Sequence, residues 1–125
     1  MDAKQKIVSR ANISFDEMLK YAQVGDRLSH GDLSGPVADK KFIAKDDAYQ
    51  IDLLLERNIV GPGDYFSFEE FLNLVRVGNI LLNDTVSYQI TEKRLTQEGS
   101  TYVINLSMQQ INEPNWFQSG KSRPE

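Results

Sequence analysis

The amino-acid sequence predicts an α+β fold in which three short helices are followed by a long antiparallel β-hairpin on a small sheet. Apolar side chains recur with helical spacing in two segments that each begin at a serine, Ser14 and Ser67. From Val86 onward the period changes to two, which is typical of a strand with one buried face. These periodicities separate a helical first part of the chain from a β second part.

Length and composition indicate one globular domain. The chain has 125 residues, 40% of them hydrophobic, and a formal net charge of −4, and a chain of this length can bury a sizeable core. We expect an N-terminal segment over residues 1–12, a single domain over residues 13–111 and a polar C-terminal tail over residues 112–125. No apolar run approaches the roughly 20 residues of a membrane helix, and the first residues lack a secretory signal pattern. We therefore expect a cytoplasmic protein without a membrane partner.

The first and third predicted helices begin with the same signature. A glutamate follows Ser14 and Ser67 by three residues, which is the pattern of a capping box, and Gly25 and Gly78 suit a left-handed residue just after each helix. The two segments share seven identities over 15 positions at a spacing of 53 residues (67 − 14 = 53). Internal duplication and convergent helix capping both explain this match. The unlike residues after the two glycines favour convergence.

The segment between these two helices is predicted to contain a connection and a further helix. Residues 25–41 are rich in glycine and polar residues and are expected to form a long connection with one short strand at residues 26–28. The second helix is expected to begin at Asp46 or Asp47 and to end at Arg57. Its apolar positions are Ala48, Ile51, Leu54 and Leu55.

The hairpin is predicted from alternation on both sides of a polar turn at residues 97–100. The alternating apolar residues are Val86, Tyr88 and Ile90 before the turn and Tyr102, Ile104, Leu106 and Met108 after it. Residues 80–82 are expected to form a further short strand or part of the core. Because an exposed strand edge invites a second chain, we expect self-pairing into a homodimer.

Binding to another protein is assigned to two places. One is the hairpin edge, with Tyr88 and Tyr102, and the other is the aromatic pair Trp116 and Phe117 in the tail. Docking of Trp116 and Phe117 onto their own domain is the alternative interpretation of the tail.

Residues 48–62, AYQIDLLLERNIVGP, resemble the recognition helix and following strand entry of the winged-helix gamma domain of FtsK-type DNA translocases. Residues 15–17 match the first helix of that domain, so the resemblance covers at most residues 15–62. It implies a winged-helix-like fold and nucleic-acid binding. In that interpretation the phosphate contacts would be Lys40, Lys41, Lys93 and Arg94. The net charge of −4 favours protein partners over nucleic acid.

The sequence contains no catalytic, cofactor or metal-binding signature. It has no cysteine and one histidine, His30, with Asp26 and Asp32 nearby as the only candidates for a small enzymatic site. We therefore expect a non-enzymatic adaptor, inhibitor or accessory protein without a cofactor. A winged-helix nucleic-acid-binding protein and a small enzyme are the alternatives.

Overall fold

The computed structural model describes residues 10–112, and this part of the chain is 56% strand. The elements in chain order are α1 (Phe15–Tyr21), β1 (Arg27–His30), β2 (Leu33–Lys45), β3 (Ala48–Leu55), β4 (Asn58–Val60), β5 (Phe66–Ser67), α2 (Phe68–Leu74), β6 (Ile80–Asn83), β7 (Val86–Glu98) and β8 (Thr101–Ile111). The predicted class, three short helices and a hairpin on a small sheet, is therefore wrong. The described residues form two helices and an eight-stranded mixed sheet, and neither helix is long and apolar enough to cross a membrane.

Six strands of the sheet follow one path in the order β4-β3-β2-β6-β7-β8, while β1 pairs with β2 and β5 pairs with β3. All of these pairs are antiparallel except β2 with β6, which is parallel. This parallel pair joins the first half of the chain to the second half.

The predicted second helix is instead β3. Ile51, Asp52 and Leu53 are consecutive and all buried, so both faces of this strand are covered. A strand buried on both faces loses its period of two, and its apolar run cannot be distinguished from a helix by spacing alone. Asp46, with φ +57°, lies in the two-residue turn between β2 and β3 and caps no helix. The recognition helix implied by the winged-helix resemblance is therefore not formed.

The predicted long connection is also largely strand, because β2 begins at Leu33. Gly35 and Pro36 suggest a loop by composition, yet they pair with Leu28 and Arg27 of β1. Here cross-strand pairing outweighs the low intrinsic preference of glycine and proline for strands.

Both capped helices are present but end earlier than predicted. The Ser14 side chain accepts from the Glu17 N–H, and the Glu17 carboxylate accepts from the Ser14 N–H, which completes one capping box. At Ser67 only the first of these bonds is formed, because the Glu70 carboxylate accepts from Lys20 Nζ at 3.3 Å instead. The helices end at the C-cap residues Ala22 and Val75, where the backbone becomes extended.

The two halves of the described chain share one order of elements, a helix followed by three strands. Each element of the first unit, α1-β1-β2-β3, begins 53 residues before its counterpart in the second unit, α2-β6-β7-β8. The helices have seven residues each, β1 and β6 have four, and β2 and β7 have 13. We call residues that are 53 positions apart equivalent.

The equivalence extends to details that helix capping does not require. β2 and β7 each have one register shift, after Val37 and after its equivalent Ile90. The Gly25 N–H donates to the Val37 carbonyl at 2.9 Å, and the Gly78 N–H donates to the Ile90 carbonyl at 2.8 Å. Convergent capping does not account for shared bulges and turn bonds, so the structure favours the internal duplication over the convergence that the sequence favours.

The core lies where the second unit covers the first. Phe42 of β2 is fully buried, with its ring edge-on to those of Phe66 and Phe71 at centroid distances of 6.4 and 5.1 Å. The ring of Tyr49 on β3 stacks on that of Phe71 at 4.4 Å. The β2–β3 hairpin is thus closed by α2 and by the residues before it.

Candidate interaction surface

The hairpin of the second unit extends beyond its neighbours. β6 pairs with β7 only over residues 86–89, so within the described part of the chain the edge of β7 is free from residue 92 onward. We call residues 92–98 and 101–106 the distal hairpin. Two of its apolar side chains, Leu95 and Tyr102, are 63% and 66% exposed. A free strand edge thus lies beside exposed apolar side chains.

The equivalent residues of the first unit are covered. Leu95 corresponds to Phe42, which is fully buried, and Tyr102 corresponds to Tyr49, which stacks on Phe71. The difference arises because α2 covers the β2–β3 hairpin, whereas no element within residues 10–112 occupies the same place on the distal hairpin.

An open groove of about 340 Å³ lies between α2 and the β7–β8 hairpin. Its lining residues are Tyr49, Phe68, Phe71, Leu72, Leu81, Ile104, Asn105, Leu106 and Met108. The corresponding place in the first unit, beside Leu19 and Ile51, retains only about 10 Å³ because residues 63–66 fill it. Within residues 10–112, the second unit therefore keeps an open groove at the place that residues 63–66 fill in the first unit.

Of the two tyrosines predicted to bind a partner, one is exposed and the other is half-buried. Tyr102 lies on the distal hairpin, whereas Tyr88 is half-buried and packs against the core, with Leu81 and Gln110 as its neighbours across the sheet. Trp116 and Phe117 lie outside the described residues. Leu95 was missed by the sequence patterns, and its only signal is its equivalence to Phe42.

Two of the four predicted phosphate-binding residues are buried. The Lys40 ammonium group, 2% exposed, donates to the carbonyl oxygens of Lys20 and Ala22 at 2.8 and 2.7 Å. Burial, aided by the charge of Arg76, lowers the pKa of Lys40 to about 8. Lys40 therefore anchors the end of α1.

Lys41 forms an ion pair with Asp52, with 3.6 Å between the ammonium nitrogen and a carboxylate oxygen, and both side chains are buried. Burial raises the pKa of Asp52, while the charge of Lys41 opposes this shift. The pair is part of the interior of the first unit.

The other two basic residues lie on β7. Lys93, the equivalent of Lys40, donates to the Val75 carbonyl at 3.1 Å and anchors the end of α2 in the same way. Partial burial lowers the pKa of Lys93, and Arg76 adds to this shift. Arg94 is exposed and pairs with Glu92 at 2.9 Å. The four residues thus do not form one open basic patch.

The three residues considered for an enzymatic site, Asp26, His30 and Asp32, do not form a common site. The Asp26 carboxylate accepts from the Gln23 N–H at 2.9 Å and so closes the turn after α1. His30 and Asp32 are exposed, and the His30 ring centroid lies 5.9 Å from that of Phe15. Among residues 10–112, no group of three or more histidine and acidic side chains is arranged to hold a metal ion.

Comparison with known proteins finds no matching family model, no significantly similar curated protein and no significantly similar solved structure.

Proposed function

We propose that this protein is a non-enzymatic adaptor, inhibitor or accessory protein that binds another protein chain through the distal hairpin. The observation that carries the proposal is the free edge of β7 beside the exposed side chains of Leu95 and Tyr102. A partner strand can pair with such an edge, and pockets or apolar faces beside it then supply specificity. The aromatic pair Trp116 and Phe117 is the alternative contact.

A nucleic-acid-binding role has less support. Lys40, Lys41 and Lys93 each hold an oxygen atom of this chain, and counterion release requires basic groups that can reach phosphate. The net charge of −4 also disfavours binding to nucleic acid, because it repels the phosphate backbone.

Affinity capture from the native host, followed by binding measurements with the purified captured protein, tests the proposal. In the full-length chain, Leu95→Asp with Tyr102→Asp places two charges on the distal hairpin. Val77→Asp is the matched control, because Val77 is 60% exposed and lies in the turn after α2. We expect the double variant to bind at least about tenfold more weakly than wild type, since loss of a central apolar contact costs more than about 1 kcal/mol. Val77→Asp should bind as wild type does.

The tail is tested in parallel with Trp116→Ser and Phe117→Ser. Unchanged binding by the hairpin double variant, together with loss of binding by the tail variants, would refute the hairpin as the contact. Circular dichroism of each variant verifies that the fold is retained.

A further inference from the structure

We propose that the partner of the distal hairpin is a second copy of this chain, which binds with α1 and β1 in the way that α2 and β6 bind the first unit. This inference rests on the proposed function and names its partner. It follows from the internal repeat. The contact between the units joins α2 and β6 to the β2–β3 hairpin, and the equivalents of both surfaces, α1 with β1 and the distal hairpin, lack such a contact among the described residues.

The strand pairing gives the first argument. Residues 41–44 of β2 pair in parallel with residues 80–83 of β6. Their equivalents are residues 94–97 of β7 and residues 27–30 of β1, and neither of these pairs with any other described strand at the corresponding edge. In a second copy, β1 can therefore continue the sheet beside β7. The proposed equivalent of the Phe42–Leu81 pair is Leu95 of one copy beside Leu28 of the other.

The helix packing gives the second argument. Phe71 of α2 packs on Phe42 and Tyr49 of the preceding hairpin. The equivalent residue of α1 is Met18, which would lie on Leu95 and Tyr102 of the other copy. Ile13, just before α1, is a large apolar side chain that is exposed in the single chain, whereas its equivalent Phe66 is buried in the contact between the units. Both surfaces thus bury apolar area when they meet.

The groove gives the third argument. Residues 63–66, just before α2, fill the place between α1 and the first hairpin, and Phe66 is buried there. Their equivalents are residues 10–13, just before α1. In the proposed contact these residues enter the 340 Å³ groove of the other copy, and Ile13 takes the place that corresponds to Phe66.

Residue identity gives the fourth argument. Tyr49, Ile51 and Leu53 face the interior of the first hairpin. Their equivalents on β8 are the same residue types: Tyr102, Ile104 and Leu106. Strand residues facing water are usually polar, so retention of all three apolar identities indicates that this face is also covered in the working protein.

One pair of charges opposes the contact. The register places Arg27 beside Arg94, and both side chains are exposed. Interactions between exposed charges are weak and are screened by salt, and Glu92 partly neutralises Arg94. The apolar contacts outweigh this repulsion, and we expect added salt to strengthen the association.

The proposed contact joins two unlike surfaces, so it is heterologous. Successive copies then form a ring if the rotation closes and a filament if it does not. This differs from a dimer in which two distal hairpins pair with each other.

Disulfide trapping tests the register directly, because the chain has no cysteine of its own. We expect Leu28→Cys mixed with Leu95→Cys to form a covalent dimer under mild oxidation, since neighbouring strands place paired Cα atoms within the range of about 4.4–6.8 Å that a disulfide spans. The yield of this covalent dimer should be at least about tenfold higher than that from Leu28→Cys mixed with Val77→Cys. A chain with both Leu28→Cys and Leu95→Cys should form a covalent ladder or ring. A yield no higher than the control, or equally fast cross-linking of Leu95→Cys with itself, would overturn the proposal.

Sedimentation without oxidation gives an independent measurement. We expect wild type to associate with increasing concentration, whereas Ile13→Asp alone and Leu95→Asp alone stay monomeric and their equimolar mixture forms a dimer through the one intact contact. A wild type that stays monomeric at the highest attainable concentration would overturn the inference. If that chain still binds a different host protein through the distal hairpin, only the inference fails. If the hairpin variant also leaves host binding unchanged, the proposed function fails with it.

Discussion

The Lys40 ammonium group lies at the C-terminal end of α1, where carbonyl oxygens have no helical partner and the helix dipole is negative. It donates to two of these oxygens, those of Lys20 and Ala22. Lys93 makes the corresponding bond to Val75 at the end of α2. A lysine on the neighbouring strand thus donates to the carbonyl groups at the end of each helix. Burial of the ammonium group lowers the pKa of both lysines.

Replacement of Lys40 should change both stability and its pH dependence. The folded chain releases the Lys40 proton near pH 8, whereas the unfolded chain holds it to about pH 10.5. Because the unfolded state binds more protons between these values, this group makes the free energy of unfolding rise with pH from about 8 to 10.5. We expect Lys40→Met to lose this rise and to be less stable by about 1–3 kcal/mol at pH 7, since buried carbonyl groups lose their donor.

Urea denaturation of wild type and variant between pH 7 and 10.5 measures both effects. Lys45→Met, at an exposed position at the end of β2, is the control and should retain the rise. A rise of equal size in Lys40→Met would show that another group causes it.

The two hairpins have the same register, but one is covered and the other is exposed. Phe42→Ala removes a fully buried ring between the units and should lower the free energy of unfolding by about 3–5 kcal/mol. The equivalent change Leu95→Ala removes an exposed side chain and should alter it by less than about 0.5 kcal/mol in the monomer. Urea unfolding at low protein concentration distinguishes the two, and a comparable loss in both variants would mean that the distal hairpin is covered within the chain itself.

The elements also show which features could be predicted from the sequence. The two serine-capped helices and the β7–β8 hairpin depend on local signals, capping residues and alternation. All three are present, although both helices end earlier than predicted and β7 extends into the predicted turn. The sequence predicts a helix in place of β3 because the burial of this strand on both faces comes from tertiary packing and removes the alternation. The start of β2 is not predicted because its glycine and proline indicate a loop. Pairing with β1 outweighs the low preference of these two residues for strands.

The candidate site could be predicted only in part for the same reason. Tyr102 follows from the alternation of β8, which local sequence reveals. The exposure of Leu95 depends on where β6 stops pairing with β7 and on the absence of a helix over this hairpin within residues 10–112, and both are non-local facts. The roles of Lys40 and Lys93 likewise depend on the helix ends that they reach.

One contact between the units protects β2 and leaves the corresponding part of β7 open. Amide hydrogens on the free edge of β7 over residues 94–97 should therefore exchange faster at low protein concentration than those on the β6-facing edge over residues 41–44. At high concentration the exchange of residues 94–97 should slow if copies associate as proposed. Hydrogen exchange measured by mass spectrometry at two concentrations checks this expectation. Equal protection of both segments at the lowest concentration would contradict the unequal exposure of the two edges.

The parallel pairing of β2 with β6 also bears on how the chain reaches its native state. The hairpins β2–β3 and β7–β8 join residues that are close in sequence, whereas the β2–β6 pair begins at Lys41 and Ile80 and must close a long loop. Loop closure costs entropy before the distant contact forms, and contacts of high sequence separation slow folding. We therefore expect each hairpin to form early and the docking of one unit on the other to set the folding rate.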